Sequence, residues 1–274
     1  MLIKKRKNMI KKISLAVLIT FFVAVGIGIA VVKYNQHQNL ALMFAEGLDG
    51  RLIAHKANHQ GKLESIFASG ARSFELDLVF RQQENQGYFE VGHDEEEWEG
   101  KTFESYLKRV HSYKIKKIWV DIKNIQDSNM AAALHRLEYL DSIYGIKAIL
   151  VLESSTTSAG FKAFSDAGYH TTYYLPTEAI EKLLQQNNKQ AIALEVQRIH
   201  DLSIQQSLRA VSFTASLYPF VKTYLEPALA NQIVYHTWNI IKFKEFHALE
   251  KLKETAIFKD ARVKTIIYSY HYIY

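Results

Sequence analysis

Apolar and polar positions divide this chain into two regimes. Residues 13–32, ISLAVLITFFVAVGIGIAVV, are apolar without interruption or charge. At ~1.5 Å rise per residue, a helix of that length spans the ~30 Å hydrocarbon core of a bilayer. From residue 48 onward the pattern changes. Short runs rich in branched and aromatic residues alternate with stretches of helical period. The runs predict strands over 51–55, 73–79, 117–121, 147–152, 169–173, 190–195, 209–213, 232–237 and 263–268. A further run, 88–93, predicts an accessory hairpin strand. Helices are predicted over 62–69, with Leu63, Ile66 and Phe67 on one face, and over 103–110, with Phe103, Tyr106, Leu107 and Val110. Others fall over 130–144, with Ala133, Leu134, Leu137, Leu140 and Ile143, and over 177–186, where Thr177 follows Pro176 as an N-cap.

Strand–helix alternation implies a parallel sheet covered by helices. Eight or nine such units favour a (β/α)8 TIM-type barrel preceded by one N-terminal transmembrane helix. Nine strand candidates compete for eight staves, and 190–195 is the weakest. No Gly-rich dinucleotide fingerprint follows a strand, which disfavours a Rossmann sheet. The predicted organisation is a basic cytoplasmic segment over 1–12, an anchor over 13–32, a stalk over 33–47 and the barrel over 48–274.

Charge sharpens this picture. The 34 basic and 28 acidic residues give a net charge of +6, but Lys4, Lys5, Arg6, Lys7, Lys11 and Lys12 account for the whole excess. The remainder is neutral, so nothing points to nucleic acid. The basic cluster places the N-terminus in the cytoplasm and the barrel outside it, whether periplasmic or extracellular. A cleaved signal peptide is the competing reading; its apolar region is usually ~7–15 residues, and no small-residue cleavage site stands out. The absence of cysteine excludes a disulfide scaffold, a thiolate metal site and a cysteine nucleophile.

The chemically expensive residues sit at strand ends. In Ser73-Phe74-Glu75-Leu76-Asp77-Leu78-Val79, alternation puts Glu75 and Asp77 on one face and the apolar residues on the other. In a barrel the carboxylates point inward near the C-terminal rim. Paired buried anions are costly unless a hard cation or base offsets them. An exposed edge strand is the plain alternative. Asp121 and Lys123 repeat the pattern at the end of 117–121: a third oxygen ligand and a positive charge, or a strand-end salt bridge. His55 and His93 each close an apolar run, and a pair of histidines there suits proton transfer near neutrality. Glu153 ends another strand, as a supporting carboxylate or an ordinary strand-end charge. Three further features carry little. His55 and His59 lack the helical His-Glu-x-x-His context of a zinc site. The run 94–99 reads as a solvated acidic loop, and the tyrosine-rich tail 268–274 as a closing strand with aromatic packing.

Together these residues resemble the PLC-like phosphodiesterases, which include glycerophosphodiester phosphodiesterases and sphingomyelinase D-like phospholipases. The matching pieces, in order, are His55-Lys56, Glu75-Leu76-Asp77, His93-Asp94 and Asp121-Ile122-Lys123. The segment His55-Lys56-Ala57-Asn58, followed by Leu63-Glu64, is similar to the menorin branch. The resemblance implies a TIM-type barrel, one divalent cation (Mg²⁺ or Ca²⁺) held by Glu75, Asp77 and Asp121, and His55 and His93 flanking a scissile phosphate. It also implies that Lys56 and Lys123 meet the substrate. Lys56-Ala57 stands where the glycerophosphodiesterases carry Arg-Gly, which loses a bidentate fork. Only 26 residues separate Asp94 from Asp121, so the usual insertion is missing. Trp238 resembles the family's tryptophan on the seventh strand, while the aspartate often found after the last strand is replaced by tyrosines.

The implied activity is a membrane-anchored, metal-dependent cleavage of a glycerophosphodiester or phospholipid-like substrate by two-histidine acid/base catalysis. The nucleophile is water or a neighbouring substrate hydroxyl. The alternative is a non-catalytic, menorin-like binding protein that keeps the barrel and its anion pocket.

Overall fold

A computed structural model of the chain describes residues 2–83, 86–93 and 100–272. Asp94, the acidic run 94–99 and the last two tail residues lie outside the described residues.

A long helix, α1 (Leu2–Ala45), leads into nine strands. These are β1 (Leu52–Ala54), β2 (Ser73–Gln83), β3 (Gln86–Val91), β4 (Lys117–Ile122), β5 (Leu150–Ser154), β6 (His170–Tyr174), β7 (Ala210–Thr214), β8 (Val234–Lys242) and β9 (Val263–Ser269). All except β3 run parallel, and β1 pairs with both β9 and β2, so eight strands close into a barrel. The expected TIM-type fold is therefore present. β3 folds back antiparallel on the extended end of β2, as the 88–93 run predicts.

Alternation along each strand separates two cores. Outward residues such as Phe74, Leu76, Leu78, Val120 and Leu152 join one large cluster with the surrounding helices. Inward residues Ile53, Trp119, Val151 and Ile267 form a second, small cluster inside the barrel. Helices α2 (Gln60–Ala68) and α3 (Phe103–Val110) bury the faces their spacing predicts; α4 (Met130–Tyr144) buries Ala133, Leu137 and Leu140 as expected, but Leu134 only partly, and Ile143, at its last turn, is 50% exposed. His59 and Thr102 cap the first two by accepting from Gly61 and Ser105 backbone N–H groups.

Two segments differ from expectation. Residues 190–195 are not a strand; they begin the helix Lys189–Gln205, which Asn188 caps by accepting from the Ala191 N–H. Its buried Ile192, Ile199, Leu202 and Ser203 follow a helical period, and removing this candidate resolves nine staves into eight. Residues 33–45 are not a free stalk but the last turns of α1, seated on the barrel. Leu40 and Met43 are buried there with Asn35, Gln36 and Asn39. The Asn39 amide donates to the Phe243 and Glu245 carbonyls at 3.0 and 2.9 Å and accepts from the Leu249 N–H at 2.9 Å. Gln36 exchanges two hydrogen bonds with the His271 backbone. The tail does not continue as a strand: β9 stops at Ser269, and Tyr270 tucks in against Ser65 at 2.9 Å.

Candidate active site

The C-terminal ends of β1, β2, β4 and β5 gather the charged residues. Register makes this unavoidable. Asp77 pairs with Asp121 and Asp121 with Glu153, so one inward-facing row carries three carboxyl groups across adjacent strands. Glu75 lies two residues earlier on β2, beside Trp119. Glu75, Asp77 and Glu153 are each buried to about the same depth, 4% exposed.

Lys123 Nζ stands between two members of the row, 2.7 Å from Asp77 Oδ1 and in contact with Asp121 Oδ2. Burial works against its charge, yet Asp121 and Asp77 hold the ammonium above the ordinary lysine range. One cation does not balance the cluster. Burial, and then the charges of Asp77 and Asp121, push Glu75 well above the carboxylate range. Asp121 is raised chiefly by burial, which Lys123 only partly opposes.

The loop after β1 wraps this cluster. Its Lys56 has φ of 55°, a left-handed conformation that costs an L-residue energy and recurs at functional sites. That turn aims the Lys56 N–H at Glu75 Oε2, 2.5 Å away, and the Ala57 N–H at the Glu75 carbonyl, 2.7 Å away. Asn58 then clasps Asp77: its amide donates to Oδ2 at 2.7 Å, and its oxygen accepts from the Asp77 N–H at 2.9 Å. The Tyr106 hydroxyl donates to the Asn58 carbonyl and fixes the loop from α3. Asn58 is the principal residue that motif reading missed as part of the site. The signal was its place in the segment after His55, but its partner lies nineteen positions away.

His55 closes β1 with its ring toward the mouth, its side chain 40% exposed and Nε2 3.8 Å from Glu75 Oε2. Burial and then the nearby Lys62 lower its pKa to about 4, so the ring is neutral at pH 7. His93 follows β3 and is exposed. The turn before it is tied to the cluster by the Gly92 N–H donating to the Asp77 carbonyl at 3.1 Å, and its charge acts on Asp121. Trp238 stacks on Tyr174 at 5.1 Å and meets Trp119 edge-on at 6.4 Å, forming the opposite wall of the barrel interior. Glu153 accepts from the Trp119 indole at 3.1 Å and from Ser212. Burial, and then the charge of Asp121, raise it well above the carboxylate range, against the opposing pull of those two hydrogen bonds and Lys123.

The donor chemistry suits a hard cation, since three carboxylates face one ammonium. Among the described residues, however, no group of three histidine, aspartate or glutamate side chains is placed so that it could hold a metal ion as it stands. Lys123 occupies the gap between Asp77 and Asp121. Cation binding at Glu75, Asp77 and Asp121 therefore requires the ammonium to swing aside, which its flexible stem allows.

A cleft of about 480 Å³ opens from His55 along the end of β8, lined by Asn239, Ile240, Ile241, Lys242, Glu245, Ile267 and Ser269. It exists because β8 and β9 lose register between Thr237 and Ile241, where Asn239 adopts φ of 61°.

No family model and no curated protein matches this chain. Solved structures do match its fold. A glycerophosphodiester phosphodiesterase from Parabacteroides distasonis aligns at a TM-score of 0.51 with 12% identity, over 80% of this chain and 91% of its own. A protein from Silicibacter pomeroyi assigned to the glycerophosphoryl diester phosphodiesterases gives 0.53, also at 12% identity, over 80% and 90%. One from Galdieria sulphuraria, assigned likewise, gives 0.51 at 12% identity, over 80% and 93%. The chain thus shares the TIM-barrel fold of the superfamily that its motifs resemble.

Proposed function

We propose that the protein is a phosphodiesterase acting at the mouth of its barrel. The observation that carries this reading is the convergence of Glu75, Asp77, Asp121 and Lys123 on one buried locus beside a neutral histidine. A carboxylate cluster with surplus negative charge has little purpose in a stable core. It suits a site that holds a cation against an anionic substrate.

Glu75, Asp77 and Asp121 hold one Mg²⁺ or Ca²⁺, with Asn58 fixing Asp77 and the Lys56 N–H fixing Glu75. When bound, the cation offsets charge on a non-bridging phosphate oxygen. Lys123 and Lys56 supply positive charge to the same phosphate. His55, neutral at pH 7, accepts the proton of the attacking oxygen as the new P–O bond forms. His93 protonates the departing alkoxide as the old P–O bond breaks. Trp238 and Tyr174 offer an aromatic wall to the rest of the substrate.

His55→Ala and His93→Ala in the full chain should each lower kcat/KM on a diester panel by about 10²-fold or more, with unchanged thermal unfolding. Chelation should abolish turnover, and Mg²⁺ or Ca²⁺ should restore it. Full turnover in both variants would refute the acid/base assignment.

A further inference from the structure

The direction of α1 carries a consequence for the substrate. Asn35 donates to the Lys244 carbonyl at 3.1 Å, and Gln36 binds the His271 backbone. Both partners lie just beyond the C-terminal ends of β8 and β9, on the rim that carries the site. Ten residues later the helix has reached the other end of the barrel. There the Phe44 ring packs against Gly70, in the turn that feeds the start of β2, and Glu46 pairs with Lys253. The Leu48 N–H caps the Met43 carbonyl before the chain enters β1. The helix therefore descends antiparallel to the strands, and its apolar half projects from the rim around the site.

That apolar half is uncovered. Val17, Leu18, Ile19, Phe21, Phe22 and Ile27 are each more than half exposed. The mean hydropathy of the span is 2.3, and a bilayer is the surrounding that satisfies such a surface. The apolar run ends at Val32, only ~5 Å of helix rise before the docked Asn35. Two exposed aromatics, Tyr34 (59%) and Phe246 (60%), lie at this level, where interfacial aromatics are favoured. Lys33, Lys242 and Lys244 are exposed beside them. The cleft from His55 past Asn239, Ile240, Lys242 and Glu245 opens on the same rim.

We infer that the mouth of the barrel faces the bilayer that holds α1, and that the substrate is an acyl-bearing phosphodiester lipid of that leaflet rather than a water-soluble diester. The substrate class rests on the phosphodiesterase reading; the orientation does not. α1 acts as a rigid strut that sets the height of the site above the lipid phosphates. Lys242 and Lys244 meet neighbouring phosphates, and the largely polar cleft beside His55 receives the part of the lipid next to its phosphate.

The test uses the full chain in vesicles of phosphatidylcholine and phosphatidylglycerol. The cysteine-free sequence permits single labels, so Phe246→Cys and Lys264→Cys each carry a fluorophore. Lipids brominated on their acyl chains should quench the label at 246 and spare the one at 264, which lies at the opposite end of the barrel. Equal quenching, or quenching at 264 alone, would overturn the orientation. A second variant inserts 18 helical residues between Lys33 and Tyr34, lifting the barrel by ~27 Å without rotating it. Cleavage of phosphatidylglycerol or its lyso form should fall by roughly 10²-fold, because the tether no longer presents the site to lipid. Turnover of soluble glycerophosphocholine should stay the same in both proteins. Unchanged lipid turnover after insertion would overturn the substrate class and leave the diesterase reading intact. Cleavage of neither lipid nor soluble diester by the wild type would overturn the diesterase reading, and the substrate class with it, while the quenching result stands apart.

Discussion

At the residue scale, the site is governed by how few positive charges face its carboxylates. Asn58 matters because it restrains Asp77 without adding charge. Asn58→Ala should lower kcat/KM by about 10-fold or more and weaken cation affinity, with direct titration of Mg²⁺ or Ca²⁺ as the check. Unaltered affinity would show that Asp77 needs no restraint. A second polar group lies at the opposite end of the barrel, where His170 Nε2 and His236 Nε2 share a hydrogen bond of 2.9 Å. Burial, then Lys117, lowers His170 to about 4. The folded ring refuses protons that the unfolded one accepts below its usual 6.5, so this contribution is full above that value and lost as pH falls toward 4. The loss is about 3 kcal/mol. Glu75 and Glu153 act in the opposite sense, since carboxyls with raised pKa contribute most below their unfolded value and lose it as pH rises. The difference in urea stability between wild type and His170→Gln isolates the histidine. It should shift by about 3 kcal/mol between neutral pH and pH 4; a constant difference would contradict the assignment.

Elements show why part of this was legible in the sequence. On β2 and β4 the period-two pattern forces Glu75, Asp77, Asp121 and Lys123 inward, and register then unites them. The segment after His55 marks Asn58 but not its role, and nothing local announces the ring stack of Trp238 on Tyr174, because the partners of both come from other strands. Residues 190–195, Gln-Ala-Ile-Ala-Leu-Glu, mimic a short strand, and only the period continuing to Ser203 marks them as helix. Residues 33–45 misled for a different reason. Asn35, Gln36 and Asn39 look like solvated spacers, yet their amides satisfy backbone groups of the loops after β8 and β9. Asn39→Ala leaves those groups unpaired and should cost about 1–3 kcal/mol. Native-state hydrogen exchange would show earlier opening of residues 243–249, whereas unchanged protection would mean that the helix is held by Leu40 and Met43 alone.

For the whole molecule, one barrel end carries the candidate site and the other the buried His170–His236 pair. The candidate-site end is the one from which α1 departs, and the hydrogen bonds of Asn35, Gln36 and Asn39 hold helix and site in one fixed relation. The stiffness of the connection is what makes an insertion at residue 33 informative, since a flexible stalk would absorb it.

The most direct measurement is a ³¹P NMR time course of a phosphodiester with the full-length protein and added Mg²⁺ or Ca²⁺, run beside Asp77→Asn. Wild type should convert the diester resonance to a monoester or cyclic phosphate signal, and Asp77→Asn should leave it in place. Equal conversion by both proteins would contradict the role given to the carboxylate cluster, and no conversion by wild type across lipid and soluble diesters would contradict the activity itself.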